Sequence, residues 1–173
     1  MNDTEMLNKG ETEGILANAK MIMDVKLVDP EFFEEHGLPS YGTEASAGLD
    51  LIAYIDDAVV VEAGKVELIP TGMHIQLPAD NLAAMLLPKS GIGHKKGIVL
   101  GNLVGLIDAD YRNQMFVSVW NRSSEDYTIN PGDKVCQMVV VPVLQMQLNI
   151  VDELNETNRG MGGFGSTGRR INN

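Results

Sequence analysis

Short apolar runs separated by turn signals follow one another from Met23 to Val151. Almost none of this stretch has the 3.6-residue period of an amphipathic helix. The runs are, in chain order, "MDVKLVDP", "AVVVEAGKVELIPTG", "MHIQLP", "LAAMLLP", "GIVLGNLVGLID", "QMFVSVWN" and "DKVCQMVVVPVLQMQLNIV". Gly64 marks a turn between two strands, and "NPGD" at Asn130–Asp133 is a β-turn sequence. Many short strands at regular spacing predict an all-β barrel or sandwich.

Composition divides the chain into three parts. Residues 1–22 are polar and acidic, and we expect a frayed extension, at most weakly helical around Leu16–Met23. Residues 23–155 hold the strand signals and form one domain, long enough to bury a core. Residues 156–173 are polar and glycine-rich, and we expect a mobile segment there.

Composition also argues against several classes of protein. The net charge of −11 argues against non-specific nucleic-acid binding, which requires a basic surface. No uninterrupted apolar run reaches about 18 residues, so no membrane-spanning helix is predicted. Cys136 is the only cysteine, which excludes an intrachain disulfide and a CxxC metal site. The N-terminus lacks the basic flank and apolar core of a secretory signal, so we expect a cytoplasmic protein.

The first candidate site is "LPKSGIGHKKG", Leu87–Gly97. A strand ends at Pro88, and Ser90 stands where a helix N-cap is expected, with Gly91 behind it. Free N–H groups at such a turn can bind phosphate, and Lys89 adds a positive charge. The alternative is a plain capped turn on a barrel rim, because the spacing of a P-loop is not met.

The second candidate is "GLIDADYRNQM", Gly105–Met115. Asp108 and Asp110 are separated by one residue, so on a hairpin arm both side chains would face the same side. A carboxylate at a strand end is a candidate general base, and Tyr111 offers a ring that can pack on a sugar. The alternative is an acidic turn at a hairpin tip.

The third candidate is "RGMGGFGSTGRR", Arg159–Arg170. Its glycines allow backbone N–H groups to approach an anion closely, and Ser166 and Thr167 supply hydroxyls. Arg159 can bind a phosphate through two hydrogen bonds, while Phe164, between two glycines, has no local core. The alternative is a disordered C-terminus. Both readings hold if the segment is mobile without ligand and orders over it.

Other polar residues give weaker signals. Asp50 lies within the apolar "AGLDL" and needs a partner or a metal-bound water. His36, His74 and His94 are too isolated in sequence to indicate a metal site. Cys136 is more typical of a small buried hydrophobe than of a nucleophile.

Five segments together resemble a known family. "SAGLDL", "PKSG", "GLIDADY", "GDKVCQ" and "RGMGGFGSTG", in this order and spacing, resemble the five motifs of the homotrimeric dUTP diphosphatases (dUTPases). The resemblance runs from about Met23 to Gly168, and "LGNLVGLIDADY" and "SVWNRSS" are similar to the bacterial and phage branch. It implies a jelly-roll-like β-barrel, a homotrimer with shared sites and a flexible C-terminal arm, Mg²⁺, and hydrolysis of dUTP to dUMP and diphosphate. Such a reaction would keep uracil out of DNA and supply dUMP for dTMP synthesis.

The resemblance also implies a role for each matching residue. Asp108 would activate the attacking water, and Tyr111 would pack under the deoxyribose. Asp50 would support Mg²⁺ through water, the metal being held otherwise by the substrate phosphates. Phe164 would cover the uracil ring. Expected uracil contacts are Asn102, Gly105, Leu106 and Ile107, with Met115 also in the substrate-binding set. Expected phosphate contacts are Ser90, Gly91 and Gln137, and, from the C-terminal segment, Arg159, Ser166 and Thr167. Lys89 and Gly165 also belong to the expected substrate-binding set.

The chain departs from the family pattern at four positions. Lys89 and Lys134 replace usual arginines, so a fork of two hydrogen bonds becomes a point charge. Asn113 replaces a usual glycine, and Cys136 a usual alanine. Two other functions stay open: a dCTP deaminase of the same fold, and a dUTP-responsive binding or signalling protein. The deaminase would lack the "GGFGSTG" segment, and the acidic extension alone favours the signalling protein.

Overall fold

The computed structural model describes residues 21–160, and within them twelve short strands and two short helices follow one another. The strands are β1 Asp24–Leu27, β2 Ser40–Tyr41, β3 Leu49–Ile52, β4 Val59–Val61, β5 Val66–Pro70, β6 Met73–Gln76, β7 Leu82–Leu87, β8 Ile98–Leu100, β9 Gly105–Ile107, β10 Phe116–Asn121, β11 Tyr127–Ile129 and β12 Lys134–Pro142. The helices are α1 Pro30–His36 and α2 Ser90–Lys96. Most of the predicted N-terminal extension (residues 1–22) and most of the glycine-rich segment (residues 156–173) lie outside the described residues.

The strands pair in four antiparallel sheets. Their orders are β1-β6, β5-β10-β8, β11-β4 and β2-β3-β12-β7-β9. The predicted all-β, jelly-roll-like fold is confirmed. Within residues 21–160, however, the ladders do not close into one continuous barrel.

The core lies between the sheets and is built by alternation along each strand. In β10, Val117 and Val119 are buried, while Phe116 at the start of the strand is exposed. Met73 and Ile75 of β6 are buried in the same way. Because side chains alternate across a strand, period-two runs in the sequence become one apolar and one outward face.

Three local features differ from the sequence prediction. Helix α1 was not predicted, although Asp29 accepts a hydrogen bond from the Glu31 N–H at 2.9 Å and Pro30 begins the helix. The last strand ends at Pro142 instead of continuing to Val151. The strands on either side of the Gly64 turn do not pair with each other, since β4 pairs with β11 and β5 with β10.

In the described part of the chain, neither helix is long and apolar enough to cross a membrane.

Candidate active site

The large sheet brings four of the five motifs together. Strand register places Asp50 of β3, Gln137 of β12 and Leu87 of β7 side by side in one row. The Gln137 amide Nε2 donates to the Pro88 carbonyl at 3.0 Å. A side chain at Gly48 would collide with Gln137, so glycine is required for this close approach. The motifs around Asp50, Pro88 and Gln137 thus form one packed unit.

Asp50 is the buried carboxylate of this unit, and two lysines bind it. Lys89 Nζ donates to one carboxylate oxygen, and Lys134 Nζ donates to the other at 2.9 Å. Burial alone would raise the pKa of Asp50, but the hydrogen bonds and charges of Lys89 and Lys134 outweigh it and hold the pKa below its usual value. The partner that the sequence required for Asp50 is therefore a pair of ammonium groups.

The residues of this unit do not build a metal cage. Each oxygen of Asp50 already accepts from an ammonium group. Between residues 21 and 160, no three His, Cys, Asp or Glu side chains lie close enough to hold a metal ion together. A Mg²⁺ ion would fit only as a partner of the substrate, because it keeps several waters and is bound mainly through phosphate oxygens.

Helix α2 begins directly beyond this row. Lys89 is its N-cap residue and Ser90 is the first helical residue, so the prediction that Ser90 is the N-cap is wrong. The Gly93 N–H donates to the Lys89 carbonyl at 2.9 Å, whereas the N–H groups of Ser90, Gly91 and Ile92, in the first turn of α2, have no acceptor within the helix. Ser90 and Gly91 are exposed, with open space around Gly91.

Asp108 follows the edge strand β9 and is exposed. Its carbonyl accepts from the Tyr111 N–H at 3.1 Å, which closes a turn over Asp108–Tyr111. Because β9 ends at Ile107, Asp108 and Asp110 lie in this turn and not on a strand. The condition for strand alternation, a hairpin arm, is therefore not met, and the alternative of an acidic turn is found.

A network of hydrogen bonds holds this turn. The Tyr111 hydroxyl donates to the Gln114 carbonyl at 2.9 Å. Arg112 Nη1 donates to the carbonyls of Ala109 and Tyr111 at 2.6 and 3.1 Å. The Gln114 side chain accepts from the Gly72 N–H at 3.1 Å, which joins the turn to the start of β6. The sequence analysis assigned no role to Gln114 or Gly72, because their contact joins segments that are distant in sequence.

Asn102 and Gly105–Ile107 flank a strained turn. Asn102 and Leu106 are exposed, and Gly105 is buried against Leu86. Leu103 has a φ of 64°, the only positive value at a non-glycine residue in the described chain. Such a backbone costs about 1–2 kcal/mol for an ordinary residue. No sequence signal indicated this backbone conformation at Leu103.

Met115 has a different environment from the other predicted site residues. Its side chain is fully buried. Its N–H donates to the Met73 carbonyl at 2.9 Å, and its carbonyl accepts from the N–H and the hydroxyl of Thr71. Arg159 lies in an exposed turn, and Phe164, Gly165, Ser166 and Thr167 lie outside the described residues.

Asp108 and the phosphate-binding candidates lie toward opposite ends of the β7–β9 ladder. Gly105 pairs with Leu86 and Ile107 with Ala84, so Asp108 follows the end that points away from Leu87. Four residue steps of about 3.3 Å, about 13 Å in all, separate the level of Asp108 from Leu87. The turn to Ser90 begins beyond that point. Of the residues expected to read uracil, Gly105–Ile107 therefore lie between the two ends.

The exposed carboxylate, the aromatic ring and the lysines on this sheet are groups that an enzyme can use to hydrolyse a phosphorylated substrate. The sequence model of the dUTPase family matches residues 34–168, and the chain belongs to this family.

Similar proteins agree with this membership. The deoxyuridine 5'-triphosphate nucleotidohydrolases of Escherichia coli and Shigella boydii are both 53% identical over 148 residues, covering 86% of this chain and 98% of each relative. Among solved structures, a mutant Staphylococcus bacteriophage 80alpha dUTPase with dUpNHpp has a TM-score of 0.71 at 22% identity, over 87% of this chain and 100% of that chain. A mutant dUTPase from phage phi11 of S. aureus, which coordinates a structural Mg(II) ion, has a TM-score of 0.67 at 23% identity, over 79% and 100%. These two likenesses support the fold.

Proposed function

We propose that this chain hydrolyses dUTP to dUMP and diphosphate, with Asp108 as the general base. The activity follows from membership of the dUTPase family and from the named relatives. The observation that carries the mechanism is the single sheet β2-β3-β12-β7-β9, which holds the segments of four motifs. The roles of individual residues are our proposal.

Asp108 takes the proton of the attacking water. Its carboxylate is exposed and lies at a turn fixed by hydrogen bonds. As the water oxygen bonds to phosphorus, the bond between the α- and β-phosphates breaks, and diphosphate leaves. A positioned carboxylate of this kind contributes about 10²–10⁴-fold to the rate.

The edge strand β9 and its flanking turns recognise the nucleoside. Backbone groups at Gly105–Ile107, together with Asn102, read the uracil edge, because β9 has a partner on one side only. A backbone close to the C5 edge leaves no space for the methyl group of thymine. The Tyr111 ring, held through its hydroxyl by Gln114, packs on the deoxyribose and excludes a 2′-hydroxyl.

The row around Gln137 and the start of α2 bind the phosphates. Lys89 and Lys134 supply positive charge in a chain whose net charge is −11. Ser90 and Gly91 offer N–H groups and a hydroxyl at an exposed turn. A Mg²⁺ ion would be held here mainly by the substrate phosphates, and it would neutralise the charge that develops on them. Asp50 orients the two lysines and reaches the metal at most through water.

The site is shared between subunits of a homotrimer. In dUTP the sugar and the reacting phosphorus lie between the base and the terminal phosphates. Within one chain, the groups that would bind these parts follow a different order. The uracil-reading strand β9 lies between Asp108, which would act at the phosphorus, and the phosphate-binding turn at Ser90. The phosphate-binding unit of one chain therefore combines with Asp108 of another.

The C-terminal segment reaches a neighbouring subunit. Beyond Pro142 the described chain forms no further strand, yet apolar side chains continue with period two. Leu144, Met146, Leu148 and Ile150 are 75–95% exposed. An alternating apolar row of this kind is suited to packing on another chain. It carries Arg159, Phe164, Gly165, Ser166 and Thr167 onward, where they close over the bound nucleotide as a lid that excludes water.

Turnover with four nucleotides tests the function. We expect dUMP and diphosphate from dUTP, and little reaction with UTP, dTTP or dCTP. Release of ammonia from dCTP would instead identify a deaminase. Tight dUTP binding without turnover would favour the signalling alternative. A cytoplasmic location stays a prediction.

A further inference from the structure

His74 connects the Asp108 turn to the rest of the fold. It lies on β6 between the buried Met73 and Ile75, so its side chain points to the opposite, outward face and is half-buried. Its Nδ1 lies 3.0 Å from the Arg112 carbonyl oxygen. Because a carbonyl can only accept, Nδ1 carries the proton in this contact. Both the neutral ring with a proton on Nδ1 and the charged ring meet this requirement.

Arg112 transmits this contact to the turn. Its guanidinium group donates to the carbonyls of Ala109 and Tyr111, both of which belong to the turn. Its own carbonyl is held by His74. The same residue thus clamps the turn with its side chain and attaches it to β6 through its backbone.

We propose that His74 is a positioning residue for the turn Asp108–Tyr111. The proposal rests on the function assigned to Asp108 above. Asp108, Asp110 and Tyr111 are exposed, and Ala109 is the small side chain by which the turn packs against the core, so hydrogen bonds contribute much of the turn's orientation. A small displacement of a general base lowers the rate of the chemical step more than it weakens binding, because binding is spread over contacts elsewhere.

The surroundings of His74 provide a matched control. A shallow groove around it is lined by Asp24, Lys26, Gln76 and Arg112. Lys26 is the direct cross-strand neighbour of His74, and Asp24 is that of Gln76. Gln76 lies two residues along β6 on the same outward face and is exposed. Replacing Gln76 therefore alters the same surface without touching the Arg112 carbonyl.

Three substitutions at His74 distinguish the effect of the hydrogen bond to the Arg112 carbonyl from the effect of side-chain volume. In His74→Asn, the amide nitrogen can take the place of Nδ1, whereas the longer His74→Gln puts its amide beyond that place. We expect kcat for dUTP to fall about three- to tenfold in His74→Ala and His74→Gln, with KM changed less than about twofold. His74→Asn should recover most of kcat, and Gln76→Ala should match the unaltered protein.

Hydrogen exchange provides a readout that needs no substrate. The Tyr111 N–H, which donates to the Asp108 carbonyl, should exchange faster in His74→Ala and His74→Gln than in His74→Asn or Gln76→Ala. Equal exchange and equal kcat in all four variants would overturn the proposal. A raised KM and a lowered thermal midpoint with kcat unchanged would also overturn it, since that pattern indicates a purely structural role. If Asp108→Asn keeps near-native kcat, the assigned base is wrong, whereas the exchange result still reports on the turn itself.

Discussion

Asp108 is the residue on which the proposed chemistry depends, and its environment makes a clean test possible. Its exposed side chain contributes little to folding. We therefore expect Asp108→Asn to leave the thermal midpoint nearly unchanged and to lower kcat by about 10²–10⁴-fold. Calorimetric titration with a non-hydrolysable dUTP analogue should give a Kd close to that of the unaltered protein. A variant that keeps near-native kcat would remove Asp108 from this role.

Asp50 links stability to pH. The pKa of Asp50 in the folded protein lies below the ordinary value of 3.8 that applies to the unfolded chain. Its carboxylate therefore stabilises the fold fully above about pH 4. The stabilisation is lost as pH falls through the lowered pKa. We expect Asp50→Asn to lower stability by about 1–3 kcal/mol at pH 7, since both lysines lose their anion. Denaturant titrations from pH 7 to pH 3 should show the difference between the two proteins shrinking below about pH 4. A difference that is constant with pH would show that the ion pairs contribute nothing.

At the scale of elements, the turn between β5 and β6 controls how the sheets meet α1. Gly72 has a φ of 68°, and a Cβ there would lie 2.7 Å from the Tyr54 ring and 2.9 Å from the Phe33 ring. Gly64 has a similar φ of 77° but nothing within 4 Å. We expect Gly72→Ala to cost about 2–4 kcal/mol and Gly64→Ala about 1–2, because only the first adds a steric clash to the backbone strain. Urea denaturation of both variants measures the difference, and equal losses would contradict the clash.

The elements also show how far sequence patterns predict this fold. The strands were predictable because each needs only a local alternation of apolar residues. Helix α1 was missed although its signals, Asp29 and Pro30, were present, because Pro30 was interpreted only as the end of a strand. The limit of β12 at Pro142 was not predictable, since apolar alternation continues beyond it without a partner strand in the described chain.

The candidate site was predictable in part for a related reason. The order and spacing of the family motifs predict Asp108, Tyr111, Lys89 and Gln137 as site residues. The binding of both lysines to Asp50 depends on the register of three strands that are distant in sequence, which no local pattern encodes. His74 likewise meets Arg112 only through the fold.

At the scale of the whole molecule, the arrangement of the site predicts complementation between two inactive chains. One chain carries Asp108→Asn, and the other lacks Arg159–Asn173, a deletion that removes no described strand or helix. In the proposed trimer each site takes its base and its C-terminal segment from different chains. Every mixed trimer then holds one complete site of three. Random assembly from equal amounts should restore about a quarter of native activity, since about three quarters of the trimers are mixed.

The measurement uses differently tagged chains, co-expressed and purified through both tags, so that only mixed trimers are assayed for diphosphate release. Each chain alone, purified in the same way, gives the background. Mixed trimers that form but stay at this background would mean that base and C-terminal segment come from one chain. In that case Asp108 and the turn at Ser90, which lie at opposite ends of the β7–β9 ladder, would have to approach each other by movement within one subunit. Recovery near a third of native activity in the purified mixed trimers would instead show that each site is completed only by assembly of different chains.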